Sequence, residues 1–195
     1  MFNHEAIDFS VSKFPLINVP TDVGVGLMRN DTRETLAIVS EHYHPTQYLE
    51  ITDAVEESLR QSGLDLTDAQ FETNVYDKGA RLELVAKFPA HPMKISEGDV
   101  VVPELRFRTS QNQTWANNGY VGAFRSLCYN SLVSGNVLAY VYGKHTKNFS
   151  VPQFAAKIRT AAEYIAGDGM NQMQRWCDTP INRDTAIDLF TETLA

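Results

Sequence analysis

Two alternating runs joined by a turn constrain this chain most. Phe71, Thr73 and Val75 alternate with polar neighbours, Asp77-Lys78-Gly79 supplies a turn, and Leu82, Leu84 and Ala86 alternate with Glu83, Val85 and Lys87. A period of two places successive side chains on opposite faces, so the segment specifies an antiparallel hairpin with one apolar face. An isolated hairpin is marginal in water, and this one needs further strands and a cover. Residues 100–108, VVVPELRFR, read as another strand, with Leu105 and Phe107 on one face and Arg106 and Arg108 on the other. Pro103 favours an edge or a bulge there. Thr109 to Thr114 reads as a polar loop, Trp115 to Leu132 fits either a strand or a helix, and Val137 to Tyr142 is β-rich.

The flanks supply the cover. Residues 1–24, punctuated by Pro15 and Pro20, read as an irregular arm. Val25 to Val39 reads as a hairpin turning at Asn30-Asp31-Thr32-Arg33, its nearly all-apolar second strand expected to be central. Thr46 is placed to cap a helix from about Gln47 to Ser62, with Tyr48, Ile51, Val55 and Leu59 on its buried face and Gly63 as its stop. Ser150, Pro152 and Gln153 form a start signal for a second helix, whose apolar face runs from Phe154 to Ile165. Gly167-Asp168-Gly169 breaks it, and shorter helices follow over Met170 to Cys177 and from about Pro180. The expected class is α+β, a mostly antiparallel sheet with helices packed on one face and a C-terminal helical segment. The expected division is an arm over 1–24, one domain over 25–165 and a helical appendage over 166–195.

A chain of 195 residues is one domain by size. Two cysteines far apart, no secretory opening and no long apolar run point to a protein of the cytosol with no membrane span. No H-E-x-x-H, C-x-x-C or Cys/His cluster offers a metal site, and no G-x-S-x-G elbow offers a nucleophile. Gly24-Val25-Gly26 lacks the third glycine of a dinucleotide fingerprint, and Leu138 stands where a P-loop leading to Gly143-Lys144 needs glycine. The reading is therefore a non-enzyme with no cofactor.

Net charge is −7, but it is unevenly spread. Residues 1–60 hold ten acids against four bases, whereas residues 100–150 hold one acid, Glu104, against Arg106, Arg108, Arg125, Lys144 and Lys147. A phosphate-binding face needs local positive potential rather than a basic total. Trp115, Tyr120, Tyr129, Tyr140 and Tyr142 are interleaved with these bases. Single-strand binders combine cations that follow phosphates with rings on which bases stack. The competing reading makes the rings core and the cations solvated surface.

Several segments resemble a known family. Met28 to Thr32, running into Leu36-Ala37-Ile38-Val39-Ser40 and then Tyr43-His44-Pro45-Thr46-Gln47, is similar to the opening of domain-of-unknown-function family 932, the phage/plasmid-like proteins. Ala37 stands where that family usually has glycine. Arg125 with Cys128-Tyr129-Asn130, and then His145-Thr146-Lys147-Asn148, resemble its later steps, so the likeness spans about residues 25–165. The resemblance implies a phage or mobile-element protein and names no activity. A looser likeness to phage single-strand annealing proteins of the Red beta and Erf type implies a basic groove and homo-oligomers, at the level of fold analogy.

The function expected from these readings is binding of single-stranded nucleic acid, with an annealing or recombination role. Arg106, Arg108, Arg125, Lys144 and Lys147 are expected to contact phosphates, His145 to assist, and Trp115 and Tyr120 to offer stacking surfaces. The alternative is a host-directed protein-interaction module that presents the acidic first 60 residues, and a hydrolase ranks last.

Overall fold

In a computed structural model of the chain, residues 1–96, 99–126, 133–180, 182–185 and 187 are described. Ten strands and three α-helices make up the described part. In chain order these are β1 (Val11–Pro15), β2 (Val25–Arg29), β3 (Thr35–Val39), α1 (Tyr48–Gln61), β4 (Gln70–Tyr76), β5 (Arg81–Lys87) and β6 (Met93–Ser96). They continue with β7 (Asp99–Val101), β8 (Pro103–Ser110), β9 (Asn117–Ser126), β10 (Val133–Gly143), α2 (Val151–Tyr164) and α3 (Met170–Asp178). The main sheet is five-stranded and wholly antiparallel in the order β10-β9-β8-β5-β4. A three-stranded sheet β1-β2-β3 and the hairpin β6-β7 accompany it. The class is α+β, as the alternation and helical periods require.

Register explains the layers. Phe71, Thr73 and Val75 lie opposite Ala86, Leu84 and Leu82, which in turn lie opposite Leu105, Phe107 and Thr109. The β5 and β8 members of these rows are fully buried, and α2 covers them: Phe154 meets the edge of Phe107 at 5.3 Å. α1 and α2 run parallel, Ser58 donating to the Ala155 carbonyl at 2.9 Å and Arg159 to Gln61 at 3.0 Å. Buried Tyr48, Ile51, Val55 and Leu59 recur along one face of α1. Ser62 closes that helix and Gly63 follows at φ +77°, a conformation glycine adopts without strain. Ser150 caps α2 by accepting from the Gln153 N–H, and Pro152 occupies the first turn.

Several expectations need correction. Residues 1–24 are not an irregular arm: β1 pairs with β2, and Phe2, Ile7 and Phe9 enter the core. The Gln47 amide closes the outer edge of β1, accepting from the Val11 N–H and donating to the Val11 carbonyl, each at 3.0 Å. β3 is an edge strand rather than a central one, with Ile38 64% exposed. α1 begins after Gln47, not after a Thr46 cap. Thr46 is buried, and its hydroxyl faces Asn117 and His145 instead. Pro103 opens β8, an interior strand; the first position of a strand tolerates its missing N–H, and its carbonyl still accepts from Phe88. β8 continues through Thr109 and Ser110, so the polar loop starts at Gln111.

Candidate functional site

The face of the main sheet turned away from the helices carries two transverse rows. The first reads Tyr140, Tyr120, Arg106, Val85, Glu72 from β10 to β4, and the second reads Tyr142, Asn118, Arg108, Glu83, Asn74. Alternation in β8 and β10 sends these arginines and tyrosines to the same side. Tyr140 and Tyr142, two positions apart on edge strand β10, are 61% and 51% exposed, with ring centroids 6.4 Å apart and planes 25° from parallel. Tyr120 is half-buried, and burial raises its phenol pKa despite the nearby Arg108 and Arg106.

The arginines of this face are neutralised from within the sheet. Glu83 accepts from Arg108 at 2.7 Å and from Arg106 at 3.3 Å, and Glu104 accepts from Arg106 at 2.8 Å. The Arg106 side chain is only 13% exposed. Burial works against its charge, yet the Glu104 and Glu83 carboxylates raise its pKa above the usual arginine value. Two bases against two acids leave this patch without net charge. Trp115 is held from several sides: Arg81 and Arg108 lie 4.9 and 5.5 Å from its ring, and Tyr76 meets it edge-on at 6.1 Å. Its ring binds the sheet end together rather than standing free for a base.

His145 is likewise internal. It is 8% exposed, stacks on Tyr43 at 4.9 Å, and places Nε2 3.1 Å from the Trp115 carbonyl and Nδ1 3.3 Å from the Thr46 hydroxyl. Asn117 donates to the same Thr46 hydroxyl and accepts from Thr109, while Gln111 donates to the Thr46 carbonyl. The network ties together the β3–α1, β8–β9 and β10–α2 connections. Burial lowers the His145 pKa, so the ring sits there neutral. Its two ring nitrogens face Thr46 and Trp115 inside this network.

Lys144 and Lys147 stand exposed on the β10–α2 connection, and Lys157 follows on α2. None of the three has a carboxylate partner among the described residues, whereas Arg29, Arg60, Lys78, Arg81, Lys87, Arg106, Arg108, Arg159 and Arg175 all do. The uncompensated positive charge near the open face therefore lies at the end of β10, not at the arginines. Lys144 and Lys157 line one hollow with Tyr142, and no acid contributes to it. The five cations do not form one surface: two are ion-paired on the sheet, two lie beyond the tip of β10, and Arg125 lies on β9 with its side chain outside the described residues. Cys128, Tyr129 and Asn130 also lie outside them. Lys157 was not singled out from the sequence, because its closeness to Lys144 arises only from the way α2 folds back on β10. Among the described residues no three His, Cys, Asp or Glu side chains gather to hold a metal ion, and no helix is long and apolar enough to cross a membrane.

Comparison with known families matches residues 35–195 to the family described as Domain of unknown function (DUF932). That span takes in α1, α2 and every strand of the main sheet. No curated protein and no solved structure matches the chain.

Proposed function

The chain belongs to the domain-of-unknown-function family DUF932, and within that family we propose that it binds single-stranded nucleic acid along β10. The observation that carries this reading is the exposed, mutually stacked pair Tyr140 and Tyr142 on edge strand β10. Tyrosines this exposed contribute little to the core, whereas base–aromatic stacking contributes about 1–3 kcal/mol per base. Lys144 and Lys147, beyond the end of the same strand, meet phosphates. Arg106 and Arg108 hold the platform in place through Glu83 and Glu104 and add little net attraction. Service to a phage or mobile element, an annealing role and action as a homo-oligomer belong to this reading, supported by the sequence resemblance alone.

This division of labour sets the salt response. Each phosphate neutralised on a single strand contributes about −0.7 to the slope of log Kobs against log salt. Two lysines give a slope near about −1.4, whereas five cations would give about −3.5. Anisotropy titration of a fluorescent oligothymidylate at several salt concentrations tests the proposal. Binding with the shallow slope supports it, and absence of binding at low salt removes it.

A second reading, a protein-interaction module, draws on Ile17, Val23 and Ile38, which are 90%, 70% and 64% exposed around the end of the three-stranded sheet. Recovery of a stoichiometric partner by the wild type, lost in Ile38→Asp, together with no oligonucleotide binding, would favour it.

A further inference from the structure

The tyrosine platform ends at a hollow. Tyr142, Lys144, Phe149, Phe154 and Lys157 line a recess of about 170 Å³ between the end of β10 and the start of α2. Val141 and Phe154 in its wall are buried, and the Phe149 ring lies against Gly143 so closely that a Cβ there would stand 2.5 Å from it. The lining thus combines packed apolar side chains with two lysines and the polar Thr146, Asn148, Ser150 and Gln153, and no acid contributes to it. Its volume falls below the roughly 300 Å³ at which pockets for whole drug-sized ligands begin, so it suits one chemical group rather than a whole nucleotide.

We propose that this recess receives the terminal phosphate of a single strand whose bases stack on Tyr142 and Tyr140. The inference rests on the nucleic-acid reading and adds to it a preference for a phosphorylated end. Charge supports a terminus over an internal linkage. A phosphomonoester carries about −1.5 to −2 at neutral pH because its second pKa is about 6, whereas an internal diester carries a single charge. Two lysines without an acid match the former. The α2 N-terminus takes no part in the argument, because Ser150 already accepts from the Gln153 N–H. Lys144 serves both the strand and its end, whereas Lys157 serves the end alone.

Oligothymidylates of one length carrying a 5′-phosphate, a 3′-phosphate or neither provide the test, titrated against the full chain and against Lys157→Ala. The expected result is about tenfold tighter binding of one phosphorylated end by the wild type, the size of one charge-assisted contact. Which end gains gives the direction of the strand. In Lys157→Ala that advantage collapses while the unphosphorylated oligomer binds as it does to the wild type. Equal binding of all three oligomers by the wild type overturns the inference and leaves the stacking proposal standing, as does an advantage that survives in Lys157→Ala. Failure of every oligomer to bind overturns both.

Discussion

Glu83 and Arg108, directly opposite each other across the β5–β8 ladder, meet at 2.7 Å, and the same Glu83 oxygen also receives Arg106. One carboxylate is therefore shared by both arginines of this face, and Glu104 supplies the second negative charge through Arg106. Losing Glu83 leaves Arg106 with Glu104 alone and Arg108 with no carboxylate partner among the described residues. Glu83→Ala is expected to lower unfolding free energy by about 2–4 kcal/mol in urea denaturation, since breaking one side of a largely buried pair leaves an uncompensated charge. An unchanged midpoint would contradict this.

Glu83→Gln keeps an acceptor but removes the negative charge. Arg108 then loses its carboxylate partner and Arg106 keeps only Glu104, which makes both more available to phosphates. Its oligonucleotide binding is expected to tighten, and its salt slope to steepen by about 0.7 to 1.4, for one or two added contacts. An unaltered slope would mean that the arginines do not face the ligand.

Much of this was legible in the sequence, and the omissions have identifiable causes. Period-two alternation placed Leu105 and Phe107 opposite Arg106 and Arg108, and it placed Leu82 and Leu84 opposite Glu83. The ion pairs needed one more step, the adjacency of β5 and β8, which lie 23 to 25 residues apart at the contact. Helix periodicity gave α1 and α2, and Ser150 gave the start of α2. Thr46 has the same cap-like chemistry, but a buried network with Asn117 and His145 claims its hydroxyl, which no local rule exposes. β1 was missed because a five-residue segment that ends on Pro15, with Pro20 close behind, resembles a loop until β2 is beside it. Phe9 and Val11 were the available signal.

His145 couples stability to pH. Its folded pKa is lowered by burial, so the unfolded chain, with a histidine near the ordinary value of about 6.5, binds more protons below that value. The contribution of the neutral ring is complete above about pH 6.5 and declines as pH falls below it. His145→Ala is expected to be less stable at pH 8 and to lose part of this acid slope, measured by denaturation between pH 8 and pH 5. A wild type whose stability is flat over that range would contradict the assignment.

Three of the first nine residues, Phe2, Ile7 and Phe9, belong to the core. Phe2 meets the edge of Phe71 at 5.1 Å, its backbone N–H donates to buried Glu56 at 2.7 Å, and Ile7 is fully buried. Each large apolar side chain contributes about 1.5–3 kcal/mol on burial. Deleting residues 1–9 is therefore expected to remove at least about 4 kcal/mol, read as a fall in the urea midpoint. Loss of less than about 1 kcal/mol would restore the reading of this segment as a dispensable arm.

Two turn glycines are expected to differ. Gly79 has φ +105°, and a Cβ there would lie 2.8 Å from the Phe9 ring, whereas Gly63 at φ +77° has open space. Gly79→Ala combines backbone strain with a clash and is expected to cost about 2–3 kcal/mol, against about 1 kcal/mol for Gly63→Ala. Thermal melts of the two variants check the order.

The stacking platform itself is tested by replacing both of its rings. Tyr140→Ser/Tyr142→Ser removes two exposed side chains, so the fold should persist with an unchanged circular dichroism spectrum. With stacking at about 1–3 kcal/mol per base, the affinity of the double variant for oligothymidylate at low salt is expected to fall at least about 30-fold relative to the wild type. Equal affinity in the two proteins would contradict the account, and so would a wild type that does not bind.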